Sequence, residues 1–183
     1  MEILKRQLVL NQKEELVMAY DILRDIDFFL LYFSASWCPP CQIFLDQLKR
    51  AYELGKAQKQ SFEIFFVTSD QDNKALTRVF MEKHGPWYAL SNGPAAKELR
   101  RTFNVYAIPK VVVLTSDDGL ISTRGREDIE DNPDPFAVWF PKDTISATVQ
   151  DEIVKEESDD ETPQGKEIQR RCFMASSLDS LLS

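Results

Sequence analysis

Cysteine and histidine are scarce in this chain, which has three cysteines and one histidine among its 183 residues. A small domain held together by disulfides needs more than one close cysteine pair and one remote thiol. A structural zinc site usually takes four nitrogen or sulfur ligands. Besides the close pair, Cys38 and Cys41, only His84 and Cys172 remain, and both are remote in the sequence. The sequence therefore predicts neither a disulfide framework nor a metal site, and it favours a reducing compartment.

Long apolar runs and an excess of positive charge are absent as well. The most apolar stretch, residues 28–33, is far too short to cross a bilayer. The first six residues lack the basic segment and the apolar run of a secretory signal. The net charge is −8, whereas nucleic-acid binding calls for a basic face. We therefore expect neither a nucleic acid nor a membrane as partner, and we expect a cytoplasmic location, with the nucleus equally compatible.

Acidic charge is concentrated at the end of the chain. From Asp143 onward there are ten acidic and four basic residues, a net charge of −6, which leaves −2 for residues 1–142. The run EESDDE at residues 156–161 lies in a region with too little apolar content to offset the entropy of ordering. The sequence therefore predicts a folded domain over residues 1–144 and a mostly disordered acidic tail over residues 145–183.

Strand-length apolar runs alternate with helical periodicity over the first 142 residues. Asn11 is expected to cap a helix that runs to Leu23. The runs at residues 28–33 and 62–68 are apolar on both faces, which is typical of central parallel strands covered by helices. The other predicted elements are a strand at 8–10, a helix from the cysteine pair to about Gly55, helices at 73–84 and 95–103, a looser segment at 85–90, a hairpin of strands 110–114 and 120–123, and a helix at 134–140. This order predicts one three-layer α/β domain with a central mixed sheet flanked by helices.

The candidate catalytic residues lie in the segment Trp37-Cys38-Pro39-Pro40-Cys41. It follows a predicted buried strand and begins a predicted helix, whose unpaired N–H groups and partial positive charge favour a thiolate at Cys38. Cys41 lies three residues further along, within reach of a mixed disulfide formed on Cys38. Pro40 fits the first turn, where a missing N–H costs nothing. We therefore predict that Cys38 attacks, that Cys41 resolves, and that Trp37 forms an apolar wall for a partner.

The segment YFSASWCPPC at residues 32–41 resembles the active site of tryparedoxins and nucleoredoxins, a branch of the thioredoxin superfamily. The resemblance covers about residues 8–142, continues through FEIFFV, HGPW and FNVYAIPK, and looks closest to nucleoredoxin-like proteins. It implies a thioredoxin-like fold, a cis-proline at Pro109 facing the disulfide, and a backbone at Ile108 that pairs with an extended substrate. The expected substrate-binding residues are then Trp37, Pro39, Pro40, Ile108 and Pro109.

Position 32 departs from the thioredoxin pattern but resembles that of tryparedoxins and nucleoredoxins, and position 69 departs from the tryparedoxin pattern. Where thioredoxins place a buried aspartate six residues before the nucleophile, this chain has Tyr32. Proton transfer to Cys41 then needs another group or water. Where tryparedoxins carry a tryptophan after the third strand, this chain has Ser69. That difference argues against recognition of a glutathione–polyamine conjugate.

Several further residues have a structural and a functional interpretation. His84 is expected at a helix end near the C-terminal dipole rather than as a catalyst. Trp87 fits either the core or the rim of the active site, and the resemblance favours the rim. Trp139 is expected in the core. Arg124 and Arg126 are expected to form a solvated surface pair, and contact with an acidic partner is the alternative.

Two functions are compatible with these features. In the first, the chain reduces protein disulfides through the Cys38–Cys41 dithiol and a mixed-disulfide intermediate, and a reductase or glutathione recharges it. In the second, a redox-responsive thioredoxin-fold module regulates a signalling partner, with the acidic tail as a docking or phosphorylation segment. The presence of Cys41 favours the first, because a binding module needs no resolving thiol. We expect no cofactor beyond the redox-active disulfide, a monomer, and a free exposed thiol at Cys172.

Overall fold

The computed structural model describes residues 2–141, which form a seven-stranded sheet with helices on both faces. In chain order the elements are α1 (Glu2–Lys5), β1 (Leu8–Leu10), β2 (Leu16–Met18), α2 (Ala19–Leu23), β3 (Phe28–Ser34), α3 (Pro39–Ala57), β4 (Phe62–Thr68), α4 (Asn73–Lys83), β5 (Tyr88–Leu90), α5 (Pro94–Thr102), β6 (Lys110–Thr115), β7 (Leu120–Ser122), α6 (Gly125–Asp131) and α7 (Pro135–Trp139). The strand order is β2-β1-β5-β4-β3-β6-β7. β4 runs parallel to β3 and β5, and the other neighbouring strands are antiparallel. The predicted α/β class with a mixed sheet is thus confirmed.

The centre of the sheet is formed by the two apolar runs that predicted buried strands. Every residue of β3 is buried, and β3 pairs with β4 on one side and β6 on the other. Tyr32 lies opposite Phe66 of β4 and Val111 of β6. Because successive side chains of a strand point to opposite faces, each run fills two separate cores.

The two cores differ in composition and in the helices that cover them. The first, which we call the aromatic face, packs the sheet against α3, α4, α6 and α7 and contains Phe28, Tyr32, Phe44, Tyr52, Phe62, Phe66, Phe80, Trp87, Phe136 and Trp139. The second, the aliphatic face, packs the sheet against α1, α2 and α5 and contains Leu4, Val9, Leu23, Leu31, Val67, Leu90, Leu99, Val112 and Leu114, with the rings of Phe29, Phe33 and Phe65. Helix α3, which begins beside the cysteines, therefore belongs to the aromatic face.

The predicted helix from Asn11 to Leu23 is wrong over its first half. β1 and β2 form an antiparallel hairpin there, and the helix begins only at Ala19. The Oδ1 atom of Asn11 accepts hydrogen bonds from the backbone N–H groups of Lys13 and Glu15, at 2.8 and 2.9 Å. That side chain closes a turn instead of capping a helix. The pairing of two short apolar triplets thus outweighs the helical spacing, since strand formation depends strongly on tertiary context.

The other predicted strands and helices are present, and three further elements appear, of which the short helix α1 precedes the first predicted strand. β5 lies in the segment predicted to be loose and extends the sheet from β4. α6 lies between the hairpin and the last helix, where no element was predicted. Gly55 lies inside α3, where a Cβ atom would overlap the rings of Phe62 and Phe136. Its role is therefore close packing of α3 on the aromatic face.

Part of the predicted organisation falls beyond the described residues. The domain boundary near residue 144, the acidic tail over residues 145–183 and Cys172 all lie there. Within residues 2–141, no helix is both long enough and apolar enough to cross a membrane.

Candidate active site

Cys38 and Cys41 lie directly after β3, at the start of α3, and are joined by a disulfide. Cys38 is the N-cap of α3, and its Sγ atom accepts the backbone N–H of Cys41 at 3.3 Å. Its carbonyl accepts the N–H groups of Cys41 and Gln42 at 3.1 and 3.3 Å. Cys38 is 5% exposed and Cys41 is 1% exposed. Cys38 is thus the more accessible of the pair, at a position where N–H groups stabilise negative charge.

The two prolines and the tryptophan of the motif surround Cys38 in sequence and face solvent. α3 begins at Pro39, so both prolines occupy first-turn positions at which no intrahelical hydrogen bond is lost. Pro39 and Pro40 are exposed, and Trp37 is 65% exposed. An exposed ring of this size beside a buried disulfide offers an apolar contact surface.

The loop before β6 lies against the cysteine pair. The Ile108–Pro109 peptide bond is cis. The carbonyl oxygen of Ile108 lies 3.9 Å from Sγ of Cys38, and Ile108 packs against the small cluster formed by Ala35 and the two cysteines. Pro109 is buried. The fold therefore brings together residues that are about 70 positions apart in the sequence.

Tyr32 lies beneath the first turn of α3. Its side chain is fully buried, and its hydroxyl donates to the carbonyl oxygen of Cys41 at 3.0 Å. Burial raises the pKa of Tyr32 to about 12. The phenol therefore keeps its proton near neutral pH. It serves as a hydrogen-bond donor to the backbone of Cys41 and does not accept a proton there.

Asp70 contributes to the site, although the sequence did not single it out. It is 4% exposed, and its carboxylate accepts both the backbone N–H and the hydroxyl of Ser36, at 3.1 and 2.8 Å. It also accepts the hydroxyl of Thr68 at 2.9 Å. Because β3 and β4 are parallel, the loops that follow them meet at one edge of the sheet. A carboxylate two residues after a buried parallel strand was the signal that could have identified Asp70.

Two exposed apolar side chains near the motif were also missed. Ile43, in the second turn of α3, is 72% exposed. Tyr106, two residues before Ile108, is 91% exposed. The helical spacing could have identified Ile43, because position 43 faces away from the buried residues Cys41, Phe44 and Leu45.

A groove of about 400 Å³ lies beside Pro109 and is lined in part by Tyr106, Lys110, Arg124 and Arg126. Arg124 is exposed, and Nε of Arg126 donates to the carboxylate of Glu130 at 3.1 Å. The arginine pair expected on the solvated surface is thus part of a groove that borders Pro109.

Trp87 and His84 lie in the aromatic face, away from solvent. The expectation that Trp87 lies at the active-site rim is wrong, because it is 1% exposed and packs edge-on against Tyr52, at 5.4 Å between ring centroids. His84 follows the last turn of α4, as the sequence predicted, but its ring packs 4.2 Å from that of Phe66. Burial lowers the pKa of His84 to about 3, so the imidazole is neutral. Trp139 is a core residue, as predicted, and its Nε1 donates to Asp128.

The described part of the chain contains no group of three or more histidine, cysteine, aspartate or glutamate side chains that could hold a metal ion. Ser69, at the position where tryptophan was expected from tryparedoxins, accepts a hydrogen bond from Arg100 at 3.0 Å.

Known proteins resemble this chain in sequence and in structure. The thioredoxin-like family profile matches residues 26–121. Nucleoredoxin from Danio rerio is 33% identical over 118 residues, which cover 63% of this chain and 28% of the nucleoredoxin. Tryparedoxin from Trypanosoma brucei brucei is 36% identical over 109 residues, which cover 57% of this chain and 72% of the tryparedoxin. The crystal structure of thioredoxin from Wuchereria bancrofti aligns with a TM-score of 0.65 and 30% identity, over 80% of this chain and 96% of that one. This chain spans less than a third of the length of the nucleoredoxins it matches.

Proposed function

This chain belongs to the thioredoxin-like family of oxidoreductases, and we propose that it reduces disulfides in proteins through the dithiol of Cys38 and Cys41. The implied thioredoxin-like fold is confirmed by the structural comparison. One observation carries the proposal. Sγ of Cys38 lies at the N-terminus of α3, against the N–H of Cys41, in the more accessible position of a disulfide-bonded pair.

In the proposed cycle, the thiolate of Cys38 attacks one sulfur of a substrate disulfide. The substrate S–S bond breaks, a bond forms between Cys38 and the substrate, and the other substrate sulfur leaves as a thiolate that takes up a proton. Cys41 then loses its proton and attacks Sγ of Cys38. This second step forms the Cys38–Cys41 disulfide and releases the second substrate thiol. Two electrons and two protons thus pass from the dithiol to the substrate.

A second reaction must return the enzyme to its dithiol form. We propose that a dithiol reductase or glutathione supplies these two electrons, and that no cofactor beyond the disulfide takes part. Because the pKa of Tyr32 is about 12, the phenol is a poor acceptor for the proton of Cys41. We therefore assign that proton to water.

Five exposed apolar side chains near Cys38 support docking of a protein substrate. They belong to the motif, to α3 and to the loop before β6, and they are Trp37, Pro39, Pro40, Ile43 and Tyr106. Clustered exposed apolar side chains are typical of interaction sites. We propose that an extended substrate segment pairs with the backbone of Ile108, next to buried Pro109, while its side chains contact this docking face.

The proposal concerns the domain that residues 2–141 form, since the nucleoredoxins are much longer than the segment they share with this chain. The acidic tail, which supports the alternative of a redox-responsive binding module, lies outside the described residues. We place the proposed activity in the cytoplasm or nucleus, because a reducing compartment keeps such a dithiol available for reaction.

Trapping experiments with single cysteine variants test the proposal. Cys41→Ser should accumulate covalent complexes joined through Cys38, because the resolving thiol is missing. Cys38→Ser should abolish both turnover and trapping, since Cys41 is the less accessible thiol. Cys172→Ser is the matched control and should behave as the wild type. The readouts are reduction of insulin by the recharged enzyme and non-reducing gels with mass spectrometry of the bonded peptides. If Cys38→Ser traps partners as well as Cys41→Ser does, the assigned roles are wrong.

A further inference from the structure

We propose that Asp70 is a positioning residue that holds the loop before α3 so that Cys38 stays in its N-cap geometry. The inference rests on the proposed function, because it assigns Asp70 to the same site. Asp70 lies 32 positions after Cys38 and belongs to another loop, so its contacts extend the connection between the two segments beyond the last paired residues of β3 and β4, Ser34 and Thr68.

The carboxylate of Asp70 accepts hydrogen bonds from Ser36, which lies two residues before Cys38. Both carboxylate oxygens lie 3.1 Å from the backbone nitrogen of Ser36, and Oδ1 also accepts the Ser36 hydroxyl at 2.8 Å. Hydrogen bonds from N–H and O–H groups to a carboxylate are roughly twice as strong as neutral ones. The burial of Asp70 keeps water from competing for them.

The other side of Ser36 is held by the first turn of α3. The side-chain amide of Gln42 donates to the carbonyl oxygen of Ser36 at 2.9 Å. The N–H of Cys38 donates to the carbonyl oxygen of Ala35 at 3.3 Å. Both peptide groups of Ser36 therefore have fixed partners, and the chain enters Cys38 from one defined direction.

Asp70 is itself held in place by its neighbours. Its N–H donates to the hydroxyl of Thr68 at 2.9 Å, and that hydroxyl donates back to the Asp70 carboxylate. Arg100 of α5 donates to the carbonyl oxygen of Thr68 and to the hydroxyl of Ser69. We call these hydrogen bonds of Asp70 with Ser36 and Thr68 the clamp. Together with Arg100, the clamp connects the loop that carries Cys38 to the end of β4 and to α5.

A role in positioning and a role through charge make opposite predictions. A carboxylate acting only through its charge disfavours a nearby thiolate, so its removal would lower the midpoint of the pH profile of Cys38 alkylation. A carboxylate that fixes the N-cap geometry keeps Sγ of Cys38 against the N–H of Cys41. Removal of the clamp would loosen that contact and raise the midpoint.

Three variants and one control separate these roles. Asp70→Ala removes every contact of the carboxylate, whereas Asp70→Asn removes the charge but keeps an acceptor for the N–H of Ser36. Ser36→Ala removes only the hydroxyl contact. Asp72→Asn is the matched control, because Asp72 lies in the same loop but caps α4 through the N–H of Lys74.

The measurements are the pH profile of Cys38 alkylation in the reduced protein and the amide hydrogen exchange of residues 35–38. With Asp70→Ala we expect a higher midpoint, alkylation at neutral pH slower by about three- to tenfold, and faster exchange confined to the loop. Asp70→Asn should restore the midpoint to the wild-type value or below it. Ser36→Ala should show a smaller change in the direction of Asp70→Ala, and Asp72→Asn should show none.

Neither measurement requires turnover, so the inference is tested even if the wild type fails to reduce protein disulfides. Failure of turnover in the wild type would overturn the proposed function alone. A fall in the midpoint with both Asp70 variants would overturn positioning in favour of charge. If Asp70→Ala does not fold, Ser36→Ala carries the test. Wild-type alkylation and exchange in every variant that folds would overturn the inference.

Discussion

The two faces of the central sheet are filled by different kinds of side chain. On the aromatic face, rings contact rings in an almost continuous cluster, as where Phe62 stacks on Phe28 and meets Tyr52 and Phe136 edge-on or tilted. The aliphatic face consists mainly of leucine, valine and alanine beneath α1, α2 and α5. Only the aromatic face lies under α3, the helix that begins at the cysteines.

The aromatic face differs from the aliphatic face in a second way, because several of its rings carry polar atoms into the interior. The hydroxyl of Tyr32 reaches the backbone of Cys41, and Nε1 of Trp139 reaches Asp128. By contrast, Nδ1 of His84 and Nε1 of Trp87 are buried without a hydrogen-bonding partner among residues 2–141. The aromatic face therefore supports the site and also holds groups that are costly to bury. The leucine, valine and alanine side chains of the aliphatic face carry no polar atoms, so their burial has no such cost.

The largest expected effect comes from the same truncation made on each face of β4. Phe62→Ala on the aromatic face and Phe65→Ala on the aliphatic face should each lower the free energy of unfolding by about 3–5 kcal/mol. Phe62 has three ring partners and Phe65 has two, Phe29 and Tyr88. Each ring pair contributes about 0.5–1.5 kcal/mol beyond its buried area, so Phe62→Ala should cost more. Urea unfolding followed by circular dichroism measures both, and a larger loss for Phe65→Ala would contradict the comparison.

The next effect should depend on pH and should belong to the aromatic face alone. An unfolded histidine has a pKa of about 6.5, whereas that of buried His84 is about 3. Between these values the unfolded state binds a proton that the folded state does not, so stability falls as the pH falls below about 6.5. The slope approaches about 1.4 kcal/mol per pH unit, which amounts to a loss of about 2 kcal/mol at pH 5.

His84→Phe removes this titration while keeping an aromatic ring at the same position. Because His84 is the only histidine of the chain, the variant should show a flatter stability profile between pH 6.5 and pH 5. The measurement is chemical unfolding at several pH values. Parallel profiles for the wild type and the variant would show that His84 is not held neutral by burial.

The sequence predicted the central strands of the sheet better than it predicted the edges of the fold. β3 and β4 were predictable because a short run that is apolar on both faces fits few structures other than a central strand covered by helices on both sides. The hairpin of β1 and β2 was not, since the spacing of Leu16, Val17 and Tyr20 also fits a helix, and pairing with the preceding strand β1 decided the outcome. The cysteine pair was visible as a local motif. Asp70 was not, because its contact with Ser36 spans 34 positions and depends on the parallel register of β3 and β4.

A smaller effect should come from the hydroxyl of Tyr32, which lies beneath the cysteines. Tyr32→Phe keeps the ring but leaves the carbonyl oxygen of Cys41 without the hydroxyl donor, which should cost about 0.5–1.5 kcal/mol. Tyr20→Phe is the matched control, because Tyr20 is 52% exposed on α2, and its effect should stay within about 0.5 kcal/mol. Thermal and urea unfolding of both variants provide the test. Equal losses would show that the buried hydroxyl contributes nothing specific.

The smallest effect on stability should come from the exposed apolar side chain in the second turn of α3, which belongs to the proposed docking face. Ile43 is 72% exposed, so Ile43→Ala removes little buried area and should change the free energy of unfolding by less than about 0.5 kcal/mol. The same change should raise KM for a protein disulfide about three- to tenfold, because it removes apolar contact area that the partner would cover. KM for a low-molecular-weight disulfide should not change, since such a substrate reaches Cys38 without covering α3. An equal rise of KM for both substrates would indicate that Ile43 acts on the dithiol itself, whereas no rise for either would remove Ile43 from the docking face.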